Sequence, residues 1–334
     1  MRSAGGKHHK HNARPWAFWE NHVKLKLLSL LLAALMLTLG ACGPTANRPV
    51  SNLGDRTINI VTTVGMIADA AQNVGGERVN VTALMGPGVD PHLYKPTASD
   101  VQTLENADII FYGGLELEGR MTDVFVKLAR SGKPTFAVSE EIDPDKLRQP
   151  IEFEGKYDPH IWFDVTLWQE AVRKINQELQ TLDPAHAAFY QQNTDAYLKK
   201  LEALHQYVKE QIANLPENSR VLITAHDAFG YFGQQYGMEV RGLQGTSTAT
   251  EAGAKDVQDL ADFIIQRQIK AIFVESSVPQ TTIEAVQKAV QAQGWDVKIG
   301  GELFADAMGA AGTPEGTYIG MVRHNVDTIV SSLR

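Results

Sequence analysis

One helical run in the middle of the chain constrains the fold more than any other feature of the sequence. From Ala185 to about Asn214, apolar residues recur mostly at three- and four-residue steps, and the next proline is Pro216. That period is typical of an α-helix. About 30 residues at 1.5 Å each give a helix of roughly 45 Å, which is longer than one small domain is wide. The run therefore predicts a stiff helical connection between two lobes, with limited hinge motion.

Short β-rich runs alternate with helical patterns on both sides of this run. Strands are predicted at 57–62, 79–84, 107–112, 135–138, 220–224, 238–241, 270–274 and 296–299, and helices at 66–72, 99–106, 254–268, 282–293 and 318–333. Alternation of strand and helix favours parallel sheets with helices on both faces. The predicted fold class is therefore α/β. It has two lobes, each with a mostly parallel sheet flanked by helices, joined by one long rigid helix.

An apolar segment near the start of the chain predicts export. The run from Leu27 to Leu39 follows two lysines, is shorter than the roughly 20 residues of a membrane span, and fits a signal-peptide core. It ends in Leu39-Gly40-Ala41-Cys42, which resembles the cleavage box of bacterial lipoproteins and contains the single cysteine of the chain. We expect residues 1–42 to be a lipoprotein signal peptide, with lipid attached at Cys42. An uncleaved anchor helix is the alternative.

The remaining boundaries follow from the same patterns. Residues 43–55 are expected to form a flexible tether, 56–183 an N-terminal lobe, 184–215 the linking helix and 216–334 a C-terminal lobe. The whole chain carries a formal charge of −8, and residues 1–42 hold six basic and only one acidic residue, so the body after them carries about −13. This acidity argues against a nucleic-acid partner and raises the local concentration of cations.

Four side chains suggest a metal site. His92 and His160 each end an Asp-Pro-His triplet, His226 closely follows the predicted strand 220–224, and Asp306 follows the strand 296–299. Ligands bind at the carboxyl ends of strands in open α/β sheets, and imidazole with carboxylate suits zinc or manganese. Spacing alone leaves open that each histidine is a surface or capping residue. Three further histidines on predicted helices are expected to be structural or solvated: His186, His205 and His324.

The stretches around these residues resemble the TroA/ZnuA-type metal-binding lipoproteins, the solute receptors of zinc and manganese ABC importers. The resemblance covers nearly all of residues 56–333, and the second half is especially similar to the TroA type. The stretches that carry it are 90–97, 158–164, 224–232, 273–277 and 300–306. The resemblance implies a clamshell of two α/β lobes bridged by one long helix. It also implies that His92, His160, His226 and Asp306 are the metal ligands.

The resemblance implies zinc or manganese as the transported ligand, with no organic cofactor. Receptors dedicated to manganese often carry glutamate at the position of His226, and a nitrogen-rich site should hold zinc more tightly. Many zinc-dedicated receptors, however, insert a His-rich acidic loop after the first ligand, and this chain has none. We therefore expect zinc first and manganese close behind. Glu275 is expected to accept a hydrogen bond from a ligand histidine; a cap or salt-bridge role is the alternative.

The expected function is capture of a divalent ion outside the cytoplasmic membrane, in the periplasm or at the cell surface. The protein would be a lipid-anchored monomer that delivers the ion to the membrane permease of an ABC importer, without catalysis. One alternative is a metal-dependent hydrolase that uses the same residues, although four protein ligands would fill a tetrahedral shell and no HExxH pattern occurs. A second alternative is a surface adhesin, which nothing in the sequence favours or excludes.

Overall fold

The structure is a computed structural model that describes residues 53–54, 56–153 and 155–334. The predicted signal peptide 1–42 with Cys42, and nearly all of the predicted tether 43–55, lie outside the described residues. Within the part of the chain that is described, no helix combines the length and the apolar character needed to cross a membrane.

A four-stranded parallel sheet forms the first half. Its strands are β1 (Ile58–Thr62), β2 (Val79–Ala83), β3 (Ile109–Tyr112) and β4 (Thr135–Ala137), in the spatial order β2-β1-β3-β4. Ile60 in β1 pairs with Val81 on one side and Ile109 on the other. Three helices accompany the sheet: α1 (Gly65–Gly75), α2 (Ala98–Asn106) and α3 (Thr122–Arg130). A capping box between Thr97 and Asp100 fixes the start of α2.

The second half contains two pairs of parallel strands. Strand β5 (Val221–His226) pairs with β6 (Glu239–Gln244), and β7 (Ala271–Glu275) pairs with β8 (Lys298–Leu303). Its helices are α6 (Gly230–Tyr236), α7 (Ala254–Gln266), α8 (Thr281–Ala292) and α9 (Tyr318–Leu333). Every residue of β5 and β7 is buried, as expected for parallel strands covered on both faces.

Two long helices lie between the halves. Helix α4 (Val165–Leu182) packs against α5 (Ala187–Ala213), which is 27 residues or about 40 Å long. A short 3-10 turn (Pro184–His186) separates them, so the long helix begins three residues later than the predicted start of the linker at 184. The buried face of α5 recurs at helical spacing through Tyr190, Thr194, Tyr197, Leu201, Leu204, Val208 and Ile212.

Helix α5 is bonded to both halves. Tyr197 donates its hydroxyl to Asp69 of α1 at 2.8 Å, and Asn193 donates to the carbonyl of Val74 at 3.0 Å. Near the other end of α5, the guanidinium of Arg323 in α9 lies over the ring of Tyr207, with the guanidinium carbon 4.1 Å from the ring centroid. One hydrophobic core runs from the first sheet through α4 and α5 to α9, and a smaller core fills the second half. The long helix is therefore a packed element of the core.

The predicted α/β class, with parallel sheets flanked by helices and one long helix, is confirmed. All eight predicted strands are present, with ends shifted by a few residues. The helices α3, α4 and α6 were not predicted, and β8 extends through Gly300 and Gly301, beyond its predicted end. The boundaries of the two lobes at 183 and 216 remain a prediction.

Candidate metal site

The two Asp-Pro-His triplets fold into the same local turn. In the first, the carboxylate of Asp90 accepts the backbone N–H of His92 at 2.8 Å; in the second, Asp158 accepts that of His160 at 2.9 Å. An aspartate that binds the backbone two residues on forms a turn of its own, and proline stiffens it. Each triplet therefore presents its histidine from a fixed turn. The first lies beyond the end of β2, and the second directly precedes the 3-10 turn Ile161–Phe163.

The second half supplies the other two side chains from strand ends. His226 is the last residue of β5 and lies inside the strand; it was predicted to follow the strand. Asp306 comes three residues after the end of β8. Both positions follow the rule that ligand groups gather beyond the carboxyl ends of parallel strands.

All four predicted side chains meet at one buried point. His92 is 4% exposed, Asp306 is 1% exposed, and His160 and His226 are completely buried. One ligand atom from each residue lies within 4.8 Å of the others. The Nε2 atom of His160 is 3.3 Å from that of His92 and 3.4 Å from that of His226. The site therefore joins two groups from each half of the chain.

The carboxylate of Asp306 completes the group. Its two oxygens lie 3.2 Å from the Nε2 atoms of His160 and His226 and 3.7 Å from that of His92. Apart from these nitrogens, neither oxygen has a hydrogen-bond partner among the described residues. A zinc ion with ligands at about 2.0–2.1 Å in a tetrahedron would separate them by about 3.3 Å. The separations of 3.2–3.4 Å around His160 and between His226 and Asp306 match that value, and the distance from Asp306 to His92 is longer, at 3.7 Å.

Two of the three histidines are oriented by a buried carboxylate. Asp158 accepts from Nδ1 of His160 at 2.7 Å, and Glu275 accepts from Nδ1 of His226 at 2.5 Å. Because a carboxylate can only accept, Nδ1 carries the proton in each ring, and the lone pair of Nε2 points into the site. Glu275 also accepts the backbone N–H of His226 at 3.0 Å. The predicted hydrogen bond between Glu275 and a histidine of this group is thus present, with His226.

The electrostatics of the group differ from one histidine to the next. Burial lowers the pKa of His92 to about 3. Burial acts in the same direction on His160, but Asp158 and Asp306 outweigh it and raise its pKa to about 9; Glu275 and Asp306 likewise raise the pKa of His226 well above its usual value. Burial would raise the pKa of Asp306, yet His226 and His160 hold it well below the usual range. Positive charge is therefore stabilised at the centre of the site.

A partly exposed arginine contacts two aspartates next to the site, Asp158 and Asp227. Arg148 forms an ion pair with Asp158, and its other terminal nitrogen is 3.8 Å from Asp227, the residue after His226. A Cβ atom on Gly230 would lie 1.2 Å from the Arg148 guanidinium, so only glycine leaves room for it at the start of α6. Sequence reasoning missed Arg148, because nothing near it in the chain marks it as part of the site.

Trp162 lies beside the site. Its indole N–H donates to the carbonyl of Ala305 at 3.0 Å, and its ring meets the ring of His160 edge-on at 5.2 Å between centroids. Tyr318 donates to the carbonyl of Trp162 at 2.7 Å. These contacts join the turn that carries His160 to the segment that carries Asp306.

The remaining histidines of the body stay outside the site. His186 contacts Asp183, His205 contacts the hydroxyl of Tyr236, and His324 contacts the carbonyl of Glu302. A second group of carboxylates, from Glu140, Glu141 and Glu178, surrounds the ammonium of Lys174 at 2.5–2.8 Å. That group has the ammonium of Lys174 at its centre, whereas no lysine or arginine lies within the four-residue group among the described residues.

The chain matches the family described as zinc-uptake complex component A, periplasmic, over residues 60–332. It is 54% identical over 274 residues to the zinc-binding protein TroA of Treponema pallidum, covering 82% of this chain and 88% of that protein. It is 46% identical over 305 residues to the manganese-binding lipoprotein MntA of Bacillus subtilis, covering 91% of this chain and 99% of that protein.

Solved structures give the same result for the fold. The structure of the periplasmic zinc-binding protein TroA from Treponema pallidum superposes with a TM-score of 0.81 at 53% identity, covering 83% of this chain and 99% of that one. A second structure, from a study of the metal-binding specificity of TroA, has a TM-score of 0.79 at 35% identity, covering 83% of this chain and all of that one.

Proposed function

Because the chain belongs to the zinc-uptake complex component A family, we propose that it is the solute-binding protein of an ABC importer for a divalent metal ion. It captures the ion outside the cytoplasmic membrane and delivers it to a membrane permease. The ligands are His92, His160, His226 and Asp306, and the ion is cargo. Zinc is the first expectation and manganese the second, and relatives named for each metal exceed 45% identity.

One observation carries this proposal. Three imidazole nitrogens and a carboxylate point at one buried centre with separations that suit a tetrahedral ion, and the oxygens of Asp306 have no other partner among the described residues. Nitrogen lone pairs only 3.3–3.4 Å apart repel unless a proton or a metal ion lies between them. A bound dication would satisfy all four groups at once.

The same geometry argues against catalysis. A catalytic zinc keeps a coordination position open for water, usually beside three protein ligands. Here four protein groups surround the centre, and the nearby carboxylates of Asp158 and Glu275 are already bonded to the ligand histidines. A carrier that must hold and then release an ion has no need of an open position. The hydrolase alternative is therefore not favoured.

The protein is proposed to work as a monomer attached to the membrane through a lipid on Cys42, with residues 43–55 as the tether. The predicted cleavage box supports the anchor. Replacing Cys42 with serine should move the protein from the membrane fraction to the soluble fraction of the cell envelope. Membrane association that persists in the Cys42→Ser variant would contradict the lipid attachment.

The metal-binding function is tested by titration of the purified full chain. Zinc or manganese should bind with a stoichiometry of one, measured by calorimetry and elemental analysis. His226→Ala removes one of four ligands and should weaken binding by orders of magnitude without unfolding the protein, because β5 stays paired with β6 through the backbone. His324→Ala, which changes a histidine outside the site, is the control. Unchanged affinity in His226→Ala would overturn the ligand assignment.

A further inference from the structure

His92 is held differently from the other two histidines of the site. Its Nδ1 atom is buried and has no hydrogen-bond partner among the described residues, whereas Nδ1 of His160 and of His226 each binds a carboxylate. No hydrogen bond at Nδ1 therefore orients the ring of His92. Its position depends on the backbone turn that carries it.

Asp90 holds that turn through two hydrogen bonds, one within the turn and one to the second half of the chain. One oxygen of Asp90 accepts the backbone N–H of His92, and the other accepts the hydroxyl of Thr248 at 2.6 Å. Asp90 follows β2 in the first half, and Thr248 follows β6 in the second half. A single carboxylate thus links the His92 turn to a loop 158 residues further along the chain.

The loop that carries Thr248 is in turn tied to His226. The backbone N–H of Asp227, the residue after His226, donates to the carbonyls of Gln244 and Gly245 at 3.2 and 3.3 Å. Thr248 itself is only 6% exposed. The bond from Thr248 to Asp90 therefore sets the position of the His92 turn relative to the strand that ends in His226.

The two halves also come close together just before this turn, at Gly88, but no side-chain hydrogen bond joins them there among the described residues. Gly88 has a φ of +72°, and a Cβ atom there would lie 3.3 Å from the carbonyl oxygen of Ser276. The hydroxyl of Ser276 is buried without a partner among the described residues. The absence of a side chain at Gly88 allows the two segments to lie this close, and the hydrogen bond from Thr248 holds them together.

We propose that Thr248 is a positioning residue whose hydrogen bond to Asp90 clasps the His92 turn to the loop after β6, and that this clasp limits the rate at which the bound ion leaves. This inference rests on the proposed metal-binding function. When the hydrogen bond between Thr248 and Asp90 breaks, the turn can move and carry His92 away from the ion. His92 is the ligand histidine whose Nδ1 binds no carboxylate. The ion then keeps three ligands and dissociates faster.

The test compares dissociation rates in variants of one loop. Thr248→Val keeps the shape of the side chain and removes the hydroxyl, Thr248→Ala removes it without adding any atom, and Thr248→Ser restores it. Thr246 is the matched control, because it is also buried and its hydroxyl has no partner among the described residues. Each variant of the full chain is loaded with one equivalent of zinc, and release to excess chelator is followed by stopped flow.

Loss of one hydrogen bond to a charged group should speed zinc release about tenfold or more in Thr248→Val and Thr248→Ala. Thr248→Ser and Thr246→Val should stay within about twofold of the wild type, and every variant should remain folded without metal, as judged by circular dichroism. Unchanged release from both hydroxyl-free variants, or equally fast release from Thr246→Val, would overturn the clasp. A wild-type protein that binds neither zinc nor manganese would instead overturn the proposed function, and the clasp with it.

Discussion

Replacing Glu275 with glutamine isolates the contribution of the carboxylate behind His226. Both oxygens of Glu275 accept from the same residue, one from the backbone N–H at 3.0 Å and the other from Nδ1 at 2.5 Å, and both side chains are fully buried. Glutamine keeps the volume but offers one acceptor and one donor. Whichever way the amide is turned, its NH₂ group faces an N–H of His226, so one of the two bonds must be lost.

The magnitude follows from what that bond does. Nδ1–H bound to a carboxylate keeps the Nε2 lone pair directed at the ion and makes the ring a stronger ligand. Loss of such a partner typically weakens metal binding 10- to 100-fold. At about 1.4 kcal/mol for each factor of ten, we expect Glu275→Gln to lose about 1.4–2.8 kcal/mol of binding free energy.

The assay is a competition titration of zinc against a chelator of known affinity. Glu302→Gln serves as the control, because Glu302 is exposed on the neighbouring strand, paired with Val274. We expect Glu302→Gln to bind as the wild type does. If Glu275→Gln binds zinc within about twofold of the wild type while it remains folded, the reasoning about His226 is wrong.

Three further outcomes are expected. The carboxylates around His160 overcome the effect of burial and raise its pKa to about 9, so the metal-free site holds protons that must leave when zinc binds. Zinc affinity should therefore fall from pH 8 to pH 6. An affinity measured by calorimetry that does not change over this range would contradict the reasoning. Zinc at about 100 times its dissociation constant should stabilise the protein by about 2.7 kcal/mol, raising the melting temperature in a manner that chelator reverses. Gly230→Ala should displace Arg148 from Asp158 and lower the free energy of unfolding in denaturant by about 2 kcal/mol, the scale of one hydrogen bond to a charged group, whereas Gly119→Ala, whose Cβ meets only an ordinary contact, should not. Equal stability of the two glycine variants would show that Arg148 relocates without loss.

The sequence predicted the elements that apolar periodicity determines. Strands such as β3, β5 and β7 are mostly apolar runs, and α5 shows a regular three- and four-residue spacing. Helix α6 was missed because Gly230 and Gly233 disfavour a helix in isolation. Tertiary packing explains why glycine occurs in this helix. A Cβ atom at Gly233 would lie 2.7 Å from the carbonyl oxygen of Met238, so the glycine allows the chain to turn tightly from the helix into β6.

The sequence also pointed to the four residues that the structure brings together, because strand ends and the repeated Asp-Pro-His triplets are local signals. The aspartates of those triplets could have been found from the same repeat, since each accepts the N–H of the histidine two residues on. Arg148 and Thr248 could not be found in this way. Their partners Asp158 and Asp90 are brought to them only by the tertiary fold.

The shared core has a consequence for how the protein comes to be folded. Ile58 in the first strand and Leu333 in the last helix belong to the same hydrophobic cluster. The last helix, α9, packs against α1 and α5, so the apolar faces of these two helices are fully shielded from water only after α9 has formed. A truncation that deletes α9 should expose apolar surface in the amino-terminal half as well, and a chain emerging residue by residue reaches its native packing only after its last residues have appeared.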